Sequence, residues 1–207
     1  MIRRLFSPAG LFAINLFLIA LVVAFAPLER TLGANIRLVY FHGAWVWVGK
    51  VAFGAAALAG LGGLILRRRE KPSWAGRLPA WALALGRTGL FFWAVYLPMS
   101  LVVMQLNWGG LFLDEPRFQV PLTFGVVGLL LHAGFFLLDQ PDLVCLGSLA
   151  YGVALWAALG NVSNILHPDS PILTSDSLRI QLFFGALLML SLLVGWQIAA
   201  WLVRKIK

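Results

Sequence analysis

The chain has 207 residues, of which 61% are hydrophobic and only 12% are charged. Soluble domains are about half apolar, so this composition excludes an ordinary soluble fold and predicts an all-α integral membrane protein with one transmembrane domain over residues 1–207. The net charge of +8 does not indicate nucleic-acid binding, because the basic residues lie mostly in short segments between apolar runs, as orientation signals do.

Six apolar segments follow one another along the chain. Each has about 18 residues or more, which is enough to cross roughly 30 Å of hydrocarbon as a helix. None alternates as a barrel strand would, so we expect six transmembrane helices. They are predicted at Ala9–Pro27, Val39–Leu66, Trp81–Leu106, Val120–Leu138, Leu143–Gly160 and Ile180–Val203.

Lysine and arginine predict the orientation, because they are enriched on the cytoplasmic side. Eleven of them fall on the side that carries both termini, and four, Arg30, Arg37, Arg117 and Arg179, fall on the other. Both termini are therefore expected in the cytoplasm. The longer loops, Leu28–Leu38, Asn107–Gln119 and Asn161–Arg179, then lie outside, and we expect function there.

The second helix combines unusual length with a small-residue face. At 28 residues it would extend about 42 Å, so it must tilt or project. Its inner half pairs Ala56 with Gly60 and Ala59 with Gly63, a spacing that predicts close helix packing. A projecting outer turn would place His42 at or just above the hydrocarbon edge.

Two of the three histidines, His42 and His167, are predicted on the outer side. Two neutral imidazoles suit the axial positions of a haem iron, and outer arginines could pair with haem carboxylates. Zinc usually needs three or four protein ligands and fits less well. The alternative is that each histidine is simply solvated at the membrane interface.

Three short motifs resemble the CcmC family of haem-handling proteins, within the cytochrome c assembly superfamily. The run from Arg37 through Tyr40 and His42 to Trp45 is similar to the family's R-x-x-Y-x-H-x-x-x-W motif. Asn164 to His167, with the later Arg179, is similar to its N-x-L-H loop and following arginine. Trp108-Gly109, with Arg117 at the far end, resembles the family's tryptophan-rich WWD segment.

The resemblance implies six helices, cytoplasmic termini and a haem site on the outer (periplasmic) side of a bacterial or archaeal cytoplasmic membrane. His42 and His167 would be the axial ligands of a transient, non-covalent haem b. The residues implied around it are Arg37, Tyr40, Trp45, Trp108, Gly109, Phe112, Glu115, Arg117 and Arg179. The implied partners are a CcmE-type haem chaperone, a CcmA/CcmB-type ABC transporter and a small CcmD-like subunit.

The middle segment departs from the family pattern W-G-T-W-W-x-W-D-x-R. Leu111, Phe112 and Asp114 replace three tryptophans, and Glu115 stands where an aspartate is expected. A divergent haem platform is our preferred interpretation, because the aromatic ring of Phe112 and the charges of Glu115 and Arg117 are retained. The alternative is a non-haem permease or assembly scaffold of the same fold.

Two ionisable residues, Lys50 and His132, are predicted near mid-bilayer, where such groups are costly. His132 is expected to form a hydrogen bond within the bundle. Lys50 could snorkel, pair with Asn15 or face a polar cavity. An intramembrane protease is the weakest hypothesis, because Gly147-Ser148 lacks the G-x-S-x-G pattern. We therefore predict a haem carrier that is not an enzyme.

Overall fold

The computed structural model describes residues 7–66, 73–163, 172 and 175–206. Within these ranges the chain is all-α, with a short 3₁₀ helix at Ser73–Arg77 and a single isolated bridge between Glu29 and Gly33. The helices are α1 (Pro8–Ala24), α2 (Ile36–Leu66), α3 (Leu78–Trp108), α4 (Pro116–Leu138), α5 (Pro141–Gly160) and α6 (Leu178–Val203).

Five of these helices, α2 to α6, are long and apolar enough to cross a membrane. The predicted all-α membrane protein is therefore confirmed at this level. The first helix is also apolar but has only 17 residues, and it ends at Ala24 rather than at the predicted Pro27. The longest helices, α2 and α3, have 31 residues each and extend about 46 Å at 1.5 Å per residue.

Prolines and left-handed residues define several helix ends. Proline lies in the first turn of α1, α3, α4 and α5, where its missing N–H costs no hydrogen bond. Gly109 ends α3 with a φ of 70°, and Asp139 ends α4 with a φ of 45°. These left-handed positions reverse the chain after each helix.

The central helix is α2, which contacts α1, α3, α5 and α6. Its inner half packs closely, as its small residues predicted. A Cβ atom on Gly60 would overlap the backbone carbonyl of Cys145 in α5, and one on Gly63 would lie 2.6 Å from the Cys145 sulfur. The absence of side chains at these two positions therefore allows α2 and α5 to touch.

Side-chain donors from α3 and α5 attach α4 to the bundle. Pro121 lies inside α4 and has no N–H to offer the carbonyl of Arg117, four residues earlier. The Tyr96 hydroxyl donates to that carbonyl at 3.4 Å. Trp93 Nε1 donates to the Pro121 carbonyl at 2.7 Å, and the Tyr151 hydroxyl donates to the Phe124 carbonyl at 2.7 Å.

The segment 25–35 closes one end of the bundle beside α2 and α3. The Glu29 carboxylate accepts hydrogen bonds from the backbone N–H groups of Thr31, at 2.8 Å, and Leu32, at 2.9 Å. The bond from Leu32 is the largest cause that lowers the pKa of Glu29 below its ordinary value of 4.5. Asn35 Nδ2 donates to the Leu106 carbonyl in α3 at 3.3 Å. These bonds hold Leu32 against the site described next.

Candidate functional site

A cavity of about 380 Å³ lies at the end of the bundle where α2 and α4 begin and α3 ends. This volume lies within the usual range of ligand pockets, about 300–1,000 Å³. The walls are mostly apolar and aromatic, and polar side chains are few. The polar or ionisable lining residues are His42, Lys50, Tyr96, Ser100, Asn107, Glu115 and Arg117, together with the indoles of Trp47, Trp93 and Trp108.

One wall of the cavity is a single face of α2. His42, Val46 and Lys50 all line it, and their spacing of four residues places them one above another on the helix. His42 and Lys50 are separated by eight residues, or about 12 Å along the helix axis. The cavity thus extends from the first turns of α2 to its middle.

His42 packs beside Tyr96, whose ring centroid lies 5.1 Å from that of the imidazole. The hydroxyl of Tyr96 donates to the backbone carbonyl of Arg117, so one tyrosine contacts α2 through its ring and α4 through its oxygen. The imidazole is therefore positioned between α2 and the beginning of α4.

The opposite wall comes from the link between α3 and α4. Trp108 is the last residue of α3, and Glu115 and Arg117 stand on either side of the first residue of α4. All three line the cavity. Glu115 is only 3% exposed, so its carboxylate lies in the protein interior, near the Arg117 guanidinium two residues later. The left-handed conformation of Gly109 starts the reversal that brings Glu115 and Arg117 back to the end of α3.

Lys50 is the deepest ionisable side chain on the α2 wall. Its ammonium lies 4.0 Å from the centroid of the Trp47 ring and 5.2 Å from that of Trp156. Such cation–π contacts stabilise a positive charge in an apolar setting. Asn15 is not bonded to Lys50 and instead donates to the Leu190 carbonyl and to Gln197 Oε1 on α6.

The cavity brings together only part of the set of residues predicted from the sequence. His42, Trp108, Glu115 and Arg117 line it. Gly109 ends a helix, and Phe112 is 41% exposed with its ring 6.1 Å from that of Trp108. These two flank the cavity and do not line it.

The remaining predicted residues on described parts of the chain point elsewhere. The side chains of Arg37 and Arg179 are exposed, away from the lining. Tyr40 is fully buried and donates to the Pro27 carbonyl at 3.3 Å. Trp45 packs against Phe41 and Phe92, with centroids 4.6 and 4.9 Å away.

The second proposed iron ligand, His167, lies outside the described residues. Ile172, five residues later in the sequence, lines the cavity and is buried. Through Ile172, the connection between α5 and α6 contributes to the same cavity as His42.

His132 has surroundings of its own, on α4. Its Nδ1 lies 2.9 Å from the Gly128 carbonyl, and its ring fills the space left by Gly86 of α3. It does not line the cavity. In the described part of the chain, no three His, Cys, Asp or Glu residues are grouped so as to hold a metal ion.

Several cavity residues were not predicted as part of the site, and Lys50 and Tyr96 are the most informative of them. Lys50 carries a signal in the sequence, because it lies eight residues after His42 and therefore on the same helix face. Tyr96 carries no comparable signal, since its position depends on how α3 packs beside α2.

No protein-family model matches this chain, and no curated protein or solved structure matches it either.

Proposed function

We propose that this chain is a haem-binding membrane protein that holds haem at the outer face of the membrane and delivers it to a haem chaperone during cytochrome c maturation. The observation that carries the proposal is the shared cavity of His42, Trp108, Glu115 and Arg117. These four residues come from two of the motifs that resemble the CcmC family.

The chemistry of the cavity fits a large, flat, mainly apolar ligand with acidic groups. Its aromatic walls include Trp47, Trp93 and Trp108, which offer apolar surface to a macrocycle. His42 supplies an imidazole for the iron, and Arg117 supplies a planar guanidinium for a carboxylate. The residues present therefore fit haem as a transported substrate.

His167 is proposed as the second axial ligand. Support comes from Ile172, which lines the cavity five residues further along the chain. Two ligands on separate segments can leave the iron one at a time, which suits a carrier that must release its cargo. The receiving partner would be a CcmE-type chaperone, assisted by a CcmA/CcmB-type transporter and a CcmD-like subunit. No side chain is required to make or break a covalent bond, so the proposed protein is not an enzyme.

The proposed topology has six spans with both termini in the cytoplasm of a bacterium or archaeon. The charge distribution of the sequence supports it. The cavity lies where α2 begins and α3 ends, which is the outer side in this arrangement. The 17 residues of α1 are close to the lower limit of about 17 residues for a transmembrane helix.

The decisive experiment is the visible spectrum of the protein purified with haem available. We expect a bound, low-spin haem in the wild type, and a changed spectrum or lost haem in His42→Ala and His167→Ala. His132→Gln is the matched control, because His132 lies outside the cavity and its loss should leave the spectrum unchanged.

Two outcomes would contradict the proposal in different ways. A wild-type protein that stays colourless would exclude a haem carrier. A bound haem whose spectrum is the same in His42→Ala and His167→Ala would exclude these ligands while leaving haem binding intact.

The second candidate function is a permease or scaffold that binds no haem. Lys50 favours it, because a cation 12 Å below His42 by helix rise is not required by iron ligation. A colourless protein whose cavity binds another anionic solute would support this function.

A further inference from the structure

We propose that Lys50 is a carboxylate-binding residue, and that the cavity takes an amphipathic carboxylic acid whose acidic group lies at Lys50 and whose apolar body lies along the aromatic walls. This inference deepens the proposed haem function and rests on it for the identity of the ligand, but not for its chemical class.

The first observation is where Lys50 lies. It lines the cavity from the middle of α2, in a helix long enough to cross a membrane. An ionisable residue at such a position is costly and is by default a candidate functional residue. The indole rings of Trp47 and Trp156 lie 4.0 and 5.2 Å from its ammonium. They make cation–π contacts with the ammonium but supply no negative charge to balance it.

The second observation is the balance of charge around the cavity. Its described lining holds two basic side chains, Lys50 and Arg117, and one acidic side chain, Glu115. Lys50 and Arg117 interact electrostatically, and the single carboxylate of Glu115 can offset only one of their two positive charges. The described lining therefore carries a net positive charge, which attracts an anion.

The third observation selects the kind of anion. The lining near Lys50 is apolar and aromatic, with Val46, Trp47 and Leu159 among its residues. A single ammonium can match a singly charged carboxylate, whereas a phosphate dianion would need more donors than this region offers. The rest of the ligand must be apolar to replace water along such walls.

The test uses a metal-free porphyrin, so that iron ligation plays no part. The 207-residue chain is placed in nanodiscs of zwitterionic phosphatidylcholine, and energy transfer from tryptophan reports the binding of protoporphyrin IX or of its dimethyl ester. The same titrations are done with cis-parinaric acid and its methyl ester, which have the same chemistry on a non-porphyrin body. Empty nanodiscs correct for partition into lipid.

We expect Lys50→Met to weaken binding of both acids about 10-fold or more, the range for a hydrogen bond to a charged group. The two esters should bind wild-type protein and Lys50→Met equally. Lys50→Arg keeps the charge and should retain binding of the acids within about 3-fold. A Lys50→Met protein that fails to fold would also fail to bind the esters. Ester binding therefore distinguishes the loss of the carboxylate contact from the loss of the fold. The ratio of acid affinity to ester affinity in the wild-type protein then still tests whether the carboxylate is recognised.

The outcomes for Lys50 and for haem are distinguishable. If acids and esters bind wild-type protein equally, or if Lys50→Met leaves the acids unaffected, the Lys50 proposal is overturned, whatever the haem spectrum shows. If cis-parinaric acid binding depends on Lys50 while neither protoporphyrin IX nor its ester binds the wild-type protein, the carboxylate site stands without a porphyrin ligand. If the binding of both acids depends on Lys50, the carboxylate site and the haem function are both supported.

Discussion

The two halves of α2 differ in packing: the inner half contacts another helix closely, and the outer half lines a cavity. In the inner half, Gly60 and Gly63 let the helix touch Cys145 of α5 so closely that a methyl group would not fit. In the outer half, His42, Val46 and Lys50 face a cavity of about 380 Å³. One helix is therefore a packing element at one end and a binding wall at the other. Substitutions at the two ends should have separable effects on stability and on ligand binding.

The largest expected effect comes from filling the cavity. Val46 lies between His42 and Lys50 on the cavity face, so Val46→Trp should reduce haem affinity by about 100-fold, equivalent to roughly 2.7 kcal/mol. The melting temperature should change little. Leu58→Trp is the control, because Leu58 lies on the same helix and is 71% exposed. Equal haem titrations for Val46→Trp and wild type would show that ligand does not enter this cavity.

Gly60→Ala should destabilise the packing of the inner half of α2 without changing the cavity. The added methyl group meets the backbone of Cys145, so we expect a loss of about 1–3 kcal/mol in the free energy of unfolding. Gly185→Ala in α6 meets nothing within 4 Å and should instead stabilise the helix by about 0.5–1 kcal/mol. Unfolding in detergent measures both. A Gly60→Ala protein as stable as Gly185→Ala would contradict the close contact.

Two tyrosine hydroxyls that bond to α4 should have smaller effects on the free energy of unfolding. Tyr151→Phe removes the 2.7 Å bond to the Phe124 carbonyl, which should cost about 0.6 kcal/mol, the average for such bonds between membrane helices. Tyr96→Phe removes a longer bond of 3.4 Å, but the Arg117 carbonyl then has no donor, because Pro121 has no N–H to offer it, so this variant should cost more. Unfolding of the two variants side by side would contradict this order if Tyr151→Phe were the more damaging.

The smallest effect concerns the segment that holds Leu32 at the cavity. The pKa of Glu29 is lowered because its carboxylate accepts backbone hydrogen bonds. The ordering it provides is therefore present above its unfolded pKa near 4.5 and is lost as the pH falls through the lower folded value. The protection of the Thr31 and Leu32 amides against hydrogen exchange, relative to their intrinsic rates, should therefore fall as the pH is lowered. Glu29→Gln should remove this additional pH dependence, and if it does not, another group is responsible.

The sequence predicted the helices well, because a long apolar run has few alternatives in a membrane protein. Its errors are at helix ends. The third helix was predicted at Trp81–Leu106 and extends over Leu78–Trp108. Pro79 is tolerated in the first turn, and Gly109 adopts the left-handed conformation that allows the last turn to form. Local chemistry of this kind is not visible in hydropathy.

The candidate site was predicted only in part, because a sequence motif identifies residues but does not show on which face of a helix each one lies. Tyr40 and His42 are two residues apart in one motif, so a helix directs them to different sides. Tyr40 is buried against the Pro27 carbonyl while His42 lines the cavity. Lys50, outside every motif, shares the face of His42. Tyr96 could not be predicted, since its place depends on the packing of α3 against α2 and α4.

Pro121 has a consequence for how this protein can change during evolution. Its missing N–H leaves the Arg117 carbonyl to the Tyr96 hydroxyl. If another residue replaced Pro121, its N–H could donate to the Arg117 carbonyl, and the Tyr96 hydroxyl would no longer be needed there. If Tyr96 alone were replaced, the Arg117 carbonyl would have no donor. We therefore expect positions 96 and 121 to covary among relatives. Such covariation would identify proteins that share this cavity even where the residues lining it have diverged.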